Sequence, residues 1–267
     1  MRLFLAFIKT NFKIMIQYKW GFMLSLIGDP IVMLINIALF SSIYKHNGAQ
    51  SILGYSLSQM VWYFTGVTFI WYLIWNFTDS NIAEKIISGN LAIDLLRPVS
   101  VIKMELAQAI ALRTAGVVFE FLPGIILYSL IFYPDFLTVY SLLKFLLVVI
   151  LSFTLFFLIN FLVGLSAFVI QSNFSLQSIK FILISLTAGA YVPLEFFPEW
   201  FNKFNGFLPF QYIFYWPIQF FLNMEFTHGA EALLKVVGIQ LLWAIALYLL
   251  CKYLWRKAIR KFGAVGG

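Results

Sequence analysis

The chain has 267 residues, 62% hydrophobic and only 11% charged, with a mean hydropathy of +0.92. Soluble domains run near half apolar and a quarter charged, so both a water-exposed globule and a disordered chain are excluded. The net charge of +7 therefore reads first as a membrane-topology signal, and no nucleic-acid partner is expected.

Residues 1–20 open with an amphipathic pattern. Arg2, Ala6, Lys9, Lys13 and Gln17 share one helical stripe, while Phe4, Ile8, Phe12 and Met15 fall mostly on the other. This spacing predicts an interfacial helix that turns Arg2, Lys9 and Lys13 toward lipid headgroups. Six apolar segments follow, at about 21–44, 56–78, 106–132, 140–170, 176–193 and 232–255, each read as long enough to cross about 30 Å of hydrocarbon. The expected fold is thus an all-α integral membrane protein: an interfacial helix (1–20), a six-span domain (21–255) and a basic tail (256–267).

Lysine and arginine near the span ends set the orientation. They crowd the N-terminal segment (Arg2, Lys9, Lys13, Lys19), the loop after span two (Lys85, Arg97, Lys103) and the C-terminal end (Lys252, Arg256, Lys257, Arg260, Lys261). The opposite side has only Lys45, Lys144, Lys203 and Lys235 in or beside its loops. Both termini are expected in the cytoplasm. A seventh span over 204–222 would put the basic C-terminal end outside, and that stretch carries Pro209 and Pro217 after Pro193 and Pro198. Proline interrupts the helical ladder and aromatic rings favour the interface. Residues 194–230 are therefore expected to form short external helices, re-entrant or lying on the outer leaflet.

The main cytoplasmic loop is 79–105. Asn81 followed by Glu84 has the spacing of a reciprocal helix cap, and Gly89 is a helix stop. A short helix over 82–88 is predicted, with Ile82, Ile86 and Ile87 as its apolar edge. Pro98 biases Arg97 away from helix. Such a helix either receives a push from a separate motor or merely connects two spans; the pattern alone leaves both open.

Ionisable residues inside spans are costly and are candidates for function. Asp29 and Pro30 lie in the first third of span one. Arg113 and Glu120 are two turns apart, on one face of span three. With Asn160 they are the candidates for a translocation path; alternatively Arg113 and Glu120 pair with Asn36, Asn76 or Asn160 on other helices as a structural set. Lys180 is expected to snorkel to the inner interface. Cys251 reads as a small apolar filler. The chain lacks a G-x-x-x-x-G-K-[S/T] phosphate loop, H-E-x-x-H and G-x-S-x-G, so no ATP site, metal or other cofactor is expected on it.

Three patterns then occur in order: Gly89, Leu91, Leu95, Leu96, Arg97 and Pro98 in the loop; Pro193, Phe197, Pro198, Trp200, Leu208, Pro209, Phe210 and Pro217 outside; and the glycine-rich ending Phe262, Gly263, Ala264, Val265, Gly266, Gly267. Together with the order of elements, they resemble the ABC-2 type exporter permeases, in particular the bacterial subfamily with an L-L-R-P loop. The resemblance implies a bacterial cell-membrane subunit that is not itself an enzyme. It would pair with a second permease chain, identical or related, and with two ATPase chains that bind ATP and Mg. It makes Asn81, Glu84, Lys85, Ile86, Ile87, Asp94 and Arg97 the expected ATPase-coupling residues. The expected cargo is hydrophobic or amphiphilic. The alternatives are a transferase acting on lipid-linked substrates, for which the carboxylates are too dispersed, and an ion-coupled carrier, for which no internal repeat is visible.

Overall fold

The computed structural model describes residues 2–170 and 173–260. The glycine-rich ending at 262–267 and Lys261 lie outside the described residues, as does the side chain of Arg2.

Helix α1 (Arg2–Gln17) runs almost directly into α2 (Lys19–Asn47). The predicted faces of α1 hold: Phe4, Ile8, Phe12 and Met15 are half-buried, while Lys9 and Lys13 are exposed. The apolar face packs along α6, so protein covers part of what was expected to meet lipid. Helix α2 closes on Gly48, whose φ of +58° suits a residue without a side chain.

A two-stranded antiparallel hairpin, β1 (Ser51–Ile52) and β2 (Tyr55–Ser56), interrupts the all-α expectation. Its two turn residues, Leu53 and Gly54, both have positive φ, as a tight hairpin of this twist requires. Ser56 then caps α3 (Leu57–Ile74) reciprocally with Gln59. The capping box expected at Asn81 is absent there: the next helix, α4 (Thr78–Ile87), begins earlier and places Asn81 in its first turns. Gly89 does act as the stop, with φ of +76°. A second short helix, α5 (Leu91–Leu95), follows.

The third predicted span is one continuous run in three parts: α6 (Val101–Gly116), a wide turn with π-helical bonding (Val117–Phe121), and α7 (Leu122–Ile131). Pro123 has no amide to offer the carbonyl of Phe119, and the helix widens just before it. Helix α8 (Val139–Leu165) is capped by Thr138 with Ser141.

The fifth predicted span, 176–193, is shorter than expected. Helix α9 (Phe174–Thr187) has 14 residues, about 21 Å at the α-helical rise, too little to cross the hydrocarbon alone. The chain turns at Gly189 (φ +79°) and continues as irregular backbone with α10 (Glu199–Asn205) and α11 (Tyr215–Phe221). Prolines sit where they are tolerated: Pro198 caps α10 and Pro217 lies in the first turn of α11. Helix α12 (Ala230–Ile259) ends the described chain. Among the described residues, five helical runs are long and apolar enough to span a membrane: Lys19–Asn47, Leu57–Ile87, Val101–Ile131, Val139–Phe168 and Ala230–Ile259.

The core lies around α3 and α8, where aromatic rings interlock. Phe69 stacks on Tyr128 at 5.5 Å and meets Phe121 edge-on at 5.3 Å. Offset and edge-on contacts of this kind contribute beyond the area they bury. Helix α11 packs against both α3 and α8, with Ile218, Gln219, Phe220 and Phe221 fully buried.

Candidate functional site

Lys85 joins α4, α5 and α6. Its ammonium lies 2.8 Å from Asp94 and 2.6 Å from Glu105, and Arg97 reaches Asp94 at 3.5 Å. Asn81 donates to Glu105 at 3.4 Å. Glu105 is 1% exposed, so removing Lys85 would leave a buried carboxylate without its cation. Asn81, Glu84, Lys85, Asp94 and Arg97, five of the predicted coupling residues, line one cleft of 320 Å³.

The three isoleucines divide differently from the expected apolar edge. Ile82 and Ile86 face inward, because α4 lies tight against α8: a Cβ on Gly164 would sit 2.8 Å from the Ile82 Cβ. Only Ile87 is free, and it joins Ile93, Leu95 and Leu96 in an exposed apolar rim, with Leu96 87% exposed. Sequence reading missed α5 and this rim. The available signal was the L-L-R-P string itself, two leucines beside a turn-forming Arg-Pro.

Asn160 and Lys180 meet Asp79 just above this joint. Lys180 forms an ion pair with Asp79 and donates to Asn160 Oδ1 at 2.6 Å. It is turned inward rather than snorkelling. Asn160 donates to both oxygens of Asn76, at 3.0 and 3.1 Å, and Asn173 donates to the Asp79 carbonyl at 3.3 Å. Asn76 lies in the break between α3 and α4, so this network fixes that break to α8 and α9. The expected alternative had Arg113 or Glu120 pairing with Asn36, Asn76 or Asn160; instead Asn76 and Asn160 bond each other, with Lys180 as the third member.

The other three candidate path residues gather elsewhere. Tyr72 donates to Asp29, and its hydroxyl lies 3.4 Å from that of Tyr128. Helix α3 ends at Ile74, which frees the Tyr72 carbonyl, and the Arg113 guanidinium donates to it at 2.9 Å. A cation at a helix C-terminus is favourable in its own right. Gly116 makes the approach possible, since a Cβ there would sit 2.6 Å from that carbonyl. Ser25 donates to Glu120 at 3.4 Å. Asp29, Arg113 and Glu120 thus form one cluster and Asn160 belongs to another.

Neutral side chains hold the deeper part of the segment between α9 and α12, while Lys144, near the start of α8, donates to the Thr227 and His228 carbonyls at 2.7 and 2.9 Å. Ser152 and Gln240 both donate to the Tyr212 carbonyl, each at 2.9 Å, and Tyr63 donates to the Gly189 carbonyl at 2.7 Å. Asn205 caps the end of α9 by donating to Thr187 O at 2.7 Å. Tyr215 donates to Glu195 at 2.6 Å and Gln219 donates to the Tyr55 hydroxyl at 2.7 Å. Burial, then the Glu195 charge, pushes the Tyr55 phenol well up from its ordinary value. Cys251 is fully buried against α8, as a filler would be.

Long apolar helices around an aromatic core, with side chains bonding backbone carbonyls where the helices break, define a multi-pass membrane protein. The chain matches the family described as ABC-2 family transporter protein over residues 31–266, and it belongs to that family. It is accordingly a membrane permease component of an ABC transporter, a class that works in a lipid bilayer with an ATPase partner. No curated protein and no solved structure matches the chain.

Proposed function

We propose that this chain is the permease subunit of an ATP-driven exporter in a bacterial cell membrane, with both termini and the α4–α5 joint in the cytoplasm. The basic residues concentrated at that side support the orientation. Two such chains, identical or related, form the path, and a separate pair of ATPase chains binds ATP and Mg. The Tyr212 carbonyl, held beside Ser152 at the midpoint of α8, supports reading the segment between α9 and α12 as re-entrant. The cargo is hydrophobic or amphiphilic.

The observation that carries this reading is the exposed rim of Ile87, Ile93, Leu95 and Leu96 on a frame fixed by Lys85. Exposed apolar side chains on an ion-paired frame suit insertion into a partner's groove, with Glu84 and Arg97 as flanking polar contacts. Closure of the ATPase pair on nucleotide then pushes α4. The Gly164 contact carries the push to α8, and the pair of Asp79 and Lys180 carries it to α9.

Co-expression of the tagged chain with an ABC ATPase of the same genome tests this. Wild type brings the ATPase down in stoichiometric amount; Leu96→Asp and Ile87→Asp abolish the association, and Leu96→Met retains it. An ATPase that stays bound to both aspartate variants would place the docking surface elsewhere. Inside-out vesicles that accumulate cargo only with ATP give the direction.

A further inference from the structure

A cleft of 330 Å³ opens where α4, α8 and α9 meet. Its lips are greasy: Phe77 and Phe174 are exposed at its edge beside Ile182. Its floor is ionic, formed by Asp79 and Lys180 next to Gln177. Trp75 and Phe181 add aromatic wall at 6.1 Å from each other. Apolar lips over a polar floor fit an amphiphile, whose chain leaves through the mouth and whose headgroup rests inside.

The floor selects the kind of headgroup. Asp79 and Lys180 cancel, so the site offers both signs with no excess of either. An anionic headgroup would draw Lys180 away and strand the buried Asp79 carboxylate; a cationic one would strand Lys180. Removing one partner of a buried pair is strongly unfavourable. A headgroup carrying both charges exchanges with both ions together and strands neither. The aromatic walls also accept an ammonium on their faces.

We infer that this cleft binds the headgroup of a zwitterionic amphiphile, an anionic phosphate or carboxylate joined to an ammonium on a long alkyl or acyl chain. This rests on the exporter reading for its role as cargo and names the cargo's chemistry. Asp79 belongs to α4 and Lys180 to α9, so a headgroup that takes over their pairing loosens the tie between the coupling joint and α9. Cargo loading and the mobility of the joint are thereby linked.

The test uses the full chain, without ATPase, in nanodiscs of phosphatidylglycerol. The probe is an alkylphosphocholine carrying a photoreactive diazirine in its tail. Crosslinks are expected on the peptides holding Phe77 and Phe174. Unlabelled alkylphosphocholine should compete about tenfold better than the alkyl phosphate or alkyltrimethylammonium of equal chain length. Asp79→Asn with Lys180→Gln should erase that preference. Phe174→Ala, at an exposed position, should lower labelling severalfold in a folded chain. Equal competition by either singly charged amphiphile, or labelling away from these peptides, would overturn the inference. Neither result touches the exporter reading, which fails separately if the wild-type chain brings down no ATPase.

Discussion

Between α3 and α4 the helical run breaks and the interruption is held by charge; where the segment between α9 and α12 reaches the middle of α8, it is held by amides and hydroxyls. Helix α8 measures the difference. Asn160, which bonds Lys180 and Asn76, stands little more than one turn from the end of α8 at Leu165. Ser152, which holds Tyr212, stands at its midpoint, about 20 Å from either end. Ions are expensive deep in hydrocarbon and more tolerable near an interface, so the deeper break uses neutral donors. A charged lock is also more easily exchanged for another ion, whereas a neutral lock holds its carbonyls without competitors. The first suits a moving joint, the second fixed architecture.

Four substitutions break or sharpen this contrast. Lys180→Met strands Asp79 and should cost about 3–5 kcal/mol of stability, with most of the loss recovered when Asp79→Asn is added. Thermal unfolding of the detergent-solubilised chain reads both; no recovery would mean that the charges do not form the lock. Gly164→Val drives a side chain into Ile82 and should cost about 1–3 kcal/mol by the same measurement. At the neutral break, Gln240→Leu should cost about 1 kcal/mol, because Ser152 still holds the Tyr212 carbonyl. Unlike the charged lock, it should leave the salt dependence of unfolding unchanged. Leu96→Asp, on the exposed rim, should shift stability by less than about 0.5 kcal/mol while abolishing ATPase association.

What sequence could reveal follows the range of the forces involved. The apolar runs of α2, α8 and α12 and the stop at Gly89 depend on neighbours along the chain and were legible. The inward turn of Ile82 and Ile86 depends on Gly164, far away in sequence, and no local pattern announces it. The start of α4 at Thr78 displaced the expected cap because the tertiary network around Asn76 and Asp79, not the Asn81 side chain, fixes where the helix begins. The same holds for α9: its apolar run continued to Pro193, but Gly189 and the Tyr63 hydroxyl end the helix first. Of the candidate site, the charged members Lys85, Asp94 and Arg97 were visible as residues, while their convergence with Glu105 required the fold.

The widened turn at Val117–Phe121 has its own consequence. It sets the angular phase of everything after it, so the two halves of that long run present independently indexed faces. A turn of this kind holds one residue more than the α-helical count, so deleting Val118 would close it into ordinary α-helix while the far half kept its phase. Tyr128 would stay against Phe69 and Tyr72, whereas deleting one residue of α7 before Tyr128 would turn it away by about 100°.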